Sequence, residues 1–220
     1  MWQTKSLKMG GDVMGAPLTS RATAYPLLNE RGETTRSQIL DAVRAEIVER
    51  GATAMTVSSI SKRANLTRSL FYHYFATKDE AASAVLDSVI DDFLAQVRHW
   101  NEGRELGNVD KALDDAVHLM CSIIDQDGPF SMSLAGTGNG QLYLQFIDRA
   151  ADRIAHFVVD NTVEDFRRHH EIKIGDLYET FYMLIVGLIS LMRTHPDISE
   201  AAVKRIVAHT LQIDDLVQLD

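Results

Sequence analysis

Cysteine is almost absent from this chain. The single Cys121 among 220 residues excludes an intrachain disulfide and a zinc site built on thiolates, and it fits a reducing cytoplasm. Proline is scarce as well, with four in the whole chain, and long proline-free stretches favour helices over a turn-rich β fold. Long hydrophobic runs are missing. The stretch from Met1 to Pro17 has no run of about seven apolar residues, so it does not read as a signal peptide. The most apolar stretch, around Phe181–Met192, is closed by Arg193 and His195 and reads as a buried helix rather than a membrane span. No strand alternation, internal repeat or low-complexity tract stands out.

Catalytic signatures are lacking too. There is no HExxH and no Ser–His–Asp grouping, so no enzyme activity, cofactor or metal is expected. His169, His170 and Glu171 are adjacent and point to different helix faces, a poor spacing for chelation. The glycines from Gly136 to Gly140 have neither the preceding strand nor the following lysine of a phosphate loop, and read as a flexible loop or lid.

What is present is a 45% hydrophobic composition, enough for a sizeable core, and a net charge of −9. The charge is unevenly placed. Residues 1–80 carry a balance of +3 and residues 81–220 one of −12. Affinity for phosphates follows the local face rather than the total, so a mildly basic head on an acidic body is compatible with DNA.

Residues 1–33 have no helical period and read as a flexible tail. A helix is expected from about Thr35 to Arg50, with Ile39, Val43 and Ile47 as its stripe, Leu40 and Val48 widening it, and Gly51 as the C-cap glycine. Thr56 caps a short second helix carrying Val57 and Ile60. Asn65 stands in a turn that needs a positive φ, and Thr67 caps a third helix holding Leu70, Phe71 and Phe75. Thr77-Lys78-Asp79-Glu80 reads as a capping box opening a fourth helix, to about Trp100. Further helices are expected at about 109–126, 142–169 and 177–193, and from Ser199 to about Val217. The total is about nine, in an all-α chain.

Two short helices locked at a steep angle, with polar side chains outward on the second, form a helix-turn-helix. Gly51, the run Thr56-Val57-Ser58-Ser59-Ile60-Ser61-Lys62-Arg63-Ala64-Asn65-Leu66-Thr67 and the run Arg68-Ser69-Leu70-Phe71-Tyr72-His73-Tyr74-Phe75-Ala76-Thr77-Lys78-Asp79-Glu80 closely resemble the tetracycline-repressor (TetR) family over about 50 residues. Asn65 and Ser69 stand where that pattern has glycine, and Thr67 where it has serine. The resemblance implies an N-terminal three-helix DNA-binding domain at 34–80 and a C-terminal helical domain at 81–220 for ligand binding and dimerisation. It implies that Thr56 and Lys78 meet phosphates. It places Thr67 at the head of the reading helix, Arg68 and Ser69 against base edges, and Tyr72, His73 and Tyr74 between phosphates and bases.

The resemblance also implies a homodimer through the last two long helices. Phe181, Leu184, Gly187, Leu188, Leu191, Ala202 and Ile206 are the interface candidates. An apolar pocket between the middle helices has Phe93, Trp100, Met120, Phe130, Met132, Tyr143, Phe146 and Tyr178 as candidate walls. The expected function is a cytoplasmic, nucleoid-associated regulator: a repressor released from a palindromic operator by a small-molecule effector. The alternative is a similar dimer that acts through a protein partner, or by organising DNA, without ligand control.

Overall fold

The computed structural model describes residues 30–126, 133–134, 136 and 138–219, with the side chains of 30, 31 and 124–126 left aside. The described residues hold eight helices and no strand: α1 Glu30–Ala54, α2 Val57–Arg63, α3 Arg68–Tyr74, α4 Lys78–Gly103, α5 Val109–Gln126, α6 Gly140–Phe157, α7 Leu177–Thr194 and α8 Glu200–Leu211. A π-helical turn, Val158–Val163, and a last turn, Glu164–Arg167, prolong α6.

The head assembles as its pattern dictates. Ile39, Val43 and Ile47 of α1, Ile60 of α2 and Phe71 of α3 are all fully buried, whereas Val48 stands on the outer side of α1. Burying a side chain such as Phe71 stabilises the fold by roughly 2–3 kcal/mol. Threonine caps set the helix starts. Thr56 accepts from the Ser59 amide, Thr67 from the Leu70 amide and Thr77 from the Glu80 amide. Glu80 returns its carboxylate to the Ala76 amide at 2.7 Å, one residue ahead of the cap. Asn65 adopts the left-handed conformation, φ 55°, that the turn between α2 and α3 requires.

Element ends differ from the sequence expectation at the start of α1 and at the end of the last helix. Helix α1 begins at Glu30, because its first turn is polar and carries no apolar period to read. It breaks at Gly51, whose φ of 77° and ψ of 152° suit glycine alone. The last helix stops at Leu211, not near Val217, because Gln212 turns left-handed and a 3₁₀ turn, Asp214–Leu216, follows.

One core runs from α1–α3 through α4 into α6, joining Ile39, Phe71, Leu86, Ile90, Leu134, Phe146 and Ala150. A second core lies between α5, α7 and α8 around Val117, Leu188, Met192 and Val203. Charged ties register the helices. Arg149 of α6 reaches Ser83 and Asp87 of α4 at 2.7 and 3.0 Å, and Lys204 of α8 holds Asp110 and Asp114 of α5 at 2.7 Å each.

Candidate nucleic-acid interface and ligand cavity

Helix α3 is amphipathic over only two turns, and that decides what it offers. Phe71 and the following Phe75 point into the core, Leu70 and Tyr74 are half-buried, and Arg68, Ser69, Tyr72 and His73 face outward. Tyr72 is 49% exposed, a large aromatic held up by an edge-on contact with the buried Phe71 ring at 5.7 Å. His73 lies edge-on to Tyr74 at 5.2 Å, and Tyr74 packs against the core. Thr56 and Thr67 are exposed at the starts of α2 and α3, and Lys62 is exposed in the last turn of α2. The outward group therefore combines cationic, hydroxyl and aromatic donors on one short helix. That chemistry suits phosphates and base edges in a major groove.

Lys78 is placed differently from the expectation. Its ammonium donates to the carbonyls of Ala52, Thr53 and Met55 at 3.0, 3.3 and 2.8 Å. These carbonyls follow the Gly51 break and have no helical partner, so the lysine caps the end of α1 instead of reaching outward.

Behind α3, α2 is pinned to α1 by an ion pair whose carboxylate is buried and whose guanidinium still meets water. Glu46, 2% exposed, accepts from the Arg63 Nε at 3.0 Å, and Arg63 also reaches Glu49. Burial alone would raise the Glu46 carboxyl. The hydrogen bond from Arg63, with the nearby Ser59 hydroxyl and the charges of Arg50 and Arg63, outweighs it and holds the group below the usual glutamate range. Sequence reading passed over this pair, although Glu46 interrupts an apolar stripe and that interruption was its signal.

The body holds a partly open cavity of about 310 Å³ between α4, α5, α6 and α7. Phe93, Trp100, Met120 and Phe146 line it as expected, while Phe130 and Met132 lie outside the described residues. Tyr143 and Tyr178 do not line it. Tyr143 carries the Arg193 guanidinium over its ring at 4.5 Å, and Tyr178 donates to Asp152 at 2.9 Å and stacks on His156. A phenol hydroxyl seeks a partner, and the acidic outer face of α6 supplies one. The wall is chiefly apolar, with a polar corner and further polar residues such as Lys173 and Arg193. At the corner Arg104 holds Asp165 at 2.8 Å and Asn101 at 3.0 Å, and Asn101 also accepts from Thr162 of the π turn.

The expected interface residues separate into three sets. Leu188 is 3% exposed inside the second core, and Phe181 and Leu184 line the cavity. Leu191 and Ala202 are half-buried. Gly187 and Ile206 face outward together with Met183, which is 64% exposed. Helix α7 is long and apolar enough to cross a membrane by length and composition, with only 11% of it buried within the protomer. Its tyrosines nevertheless bond to α6 carboxylates, Tyr182 to Asp148 at 2.8 Å, so one face is committed to the body.

Residues 39–85 match the family model described as bacterial regulatory proteins, tetR family. Over 68 residues the chain is 35% identical to the HTH-type transcriptional regulator BetI of Burkholderia thailandensis. That match covers 30% of this chain and 35% of BetI, so the chain spans about a third of the curated relatives it matches. Among solved structures, the fatty acid degradation regulator FadR from Bacillus halodurans superposes with a TM-score of 0.59 at 17% identity, covering 80% of this chain and 94% of that one. SmeT, the repressor of the Stenotrophomonas maltophilia multidrug efflux pump SmeDEF, does so with a TM-score of 0.53 at 20% identity, over 84% and 93% of the two chains. At such identities these likenesses concern the fold.

Proposed function

We propose that this chain, which belongs to the tetR family of bacterial regulatory proteins through its residues 39–85, is a dimeric transcriptional repressor that a small apolar effector releases from a palindromic operator. The observation that carries the reading is the outward set Arg68, Ser69, Tyr72 and His73 on a helix whose other face is locked into the core by Phe71 and Phe75. Two such helices related by a two-fold axis meet successive major grooves about one DNA turn apart. The cavity of about 310 Å³ supports ligand control over the alternative of a ligand-independent interaction protein. The effector lowers DNA affinity by changing the spacing of the two heads, for which a coupling of about 1–3 kcal/mol is sufficient.

Selection of binding sites from random duplexes tests the reading. A two-fold symmetric site with strong salt dependence is expected. Arg68→Ala then costs about 1–3 kcal/mol and relaxes preference at one base pair of each half-site. Recovery of no preferred sequence by the wild-type chain rejects the proposal.

A further inference from the structure

One buried polar residue serves neither the cavity nor the outward face of α3. Asn139, 3% exposed, precedes α6. Its Oδ1 accepts from the Ala52 amide at 2.6 Å, and its Nδ2 donates to Ser133 O at 2.8 Å and reaches Ile47 O at 3.5 Å. Next to it, Gly138 O accepts from both the amide and the hydroxyl of Thr53, at 3.3 and 2.8 Å. Gly138 has φ 87° and lies against Thr53 and Gly51, a conformation that suits glycine. These bonds converge on the stretch after the α1 break. Lys78 holds the carbonyls of the same stretch. The chain enters α2 directly from it, at Thr56. Within a few turns of Asn139, α6 presents Phe146, Ala150 and Ile154 to the cavity.

We propose that Asn139 is a positioning residue for DNA reading: it fixes the angle at which α2 and α3 leave the body, and so the separation of the two reading helices in a dimer. The inference rests on the reading of the chain as a dimeric DNA-binding regulator. A side-chain amide with three partners across two segments is geometrically demanding, and a methyl group in its place satisfies none of them.

The test uses the full chain and the duplex selected by the wild type, with the half-site separation lengthened and shortened by one and two base pairs. Hydrogen exchange is followed over residues 47–56 in parallel. In Asn139→Ala, exchange at Ala52 and Thr53 rises about tenfold, as the loss of one buried hydrogen bond predicts. The preference for the optimal separation over its neighbours falls at least about threefold, because a loosely held head tolerates several spacings. Equal weakening at every separation marks a purely structural residue and overturns the proposal. So does an unchanged exchange pattern, or an unchanged spacing profile with raised exchange. Should Asn139→Ala fail to fold, Thr53→Val removes one bond of the same clamp from its exposed side, and a spacing profile left intact by it overturns the proposal equally. If the wild type selects no duplex, the DNA reading itself fails, and that failure is seen before any variant is made.

Discussion

Glu46 carries more of the head than its place in the sequence suggests. Its carboxylate lies under α2, held by Arg63, and its titration follows from that. The folded-state pKa is lowered, so the stabilisation is complete above the ordinary glutamate range near 4.3 and fades as pH falls below it toward the folded value. Glu46→Ala is expected to cost about 2 kcal/mol at pH 7, less than a fully enclosed pair because Arg63 retains contact with water and Glu49. The difference from wild type narrows at pH 3, and thermal melts at the two pH values measure it. Other residues were legible from local rules alone. Thr56, Thr67, Thr77 and Ser199 cap the helices they precede, and Asn65 takes the positive φ its turn demands. Tyr143 and Tyr178 were misread as cavity walls because their hydroxyls and rings answer to Asp152, His156 and Arg193, partners distant in sequence. Asn139 was invisible for the same reason, since its bonds span 87 and 92 residues to Ala52 and Ile47.

At the scale of elements, the end of α1 is where local and tertiary structure meet. Gly51 breaks the helix as its position predicts, yet the single turn beyond it, to Ala54, is too short to satisfy its own carbonyls. Lys78, at the first turn of α4, supplies that satisfaction with one ammonium and three acceptors. The family resemblance assigned it a phosphate instead. The two roles separate experimentally. Lys78→Met should lower the unfolding free energy by about 1–2 kcal/mol through orphaned carbonyls. The slope of log affinity against log salt should stay the same, whereas loss of a phosphate contact lowers it by about one. A slope reduced by one in a variant of wild-type stability contradicts the capping role. The π turn after α6 is a second element that periodicity does not reveal. It extends an otherwise regular helix by a wider turn and places Thr162 against Asn101 at the polar corner of the cavity.

For the molecule as a whole, the unequal charge and the unburied face of α7 point the same way. In the proposed complex the acidic body is repelled by DNA, so the head is the part that approaches phosphates, and the orientation is set before any base is read. A single head with a seven-residue reading helix buries too little for a specific site, and two heads need a stable two-fold. The outward face of α7 and α8 offers Met183, Gly187 and Ile206, with space open around Gly187 for a second helix to approach. The apolar sequence of α7 raised the expectation of a partner, and the fold shows which of its residues stay exposed. Leu188, Phe181 and Leu184 are taken by the protomer's own core and cavity, and the outer stripe remains. In the proposed dimer, Met183→Glu places two carboxylates near the two-fold axis and removes about 1.5–3 kcal/mol of apolar burial from each protomer. The variant should sediment at the protomer mass of 24.6 kDa at micromolar concentration, with its helical content unchanged. Its affinity for a full palindrome should fall about a hundredfold or more, while its affinity for a single half-site stays at the wild-type value, because only the linkage between the heads has been lost. A variant that remains dimeric and keeps full operator affinity shows that the two-fold runs through another face.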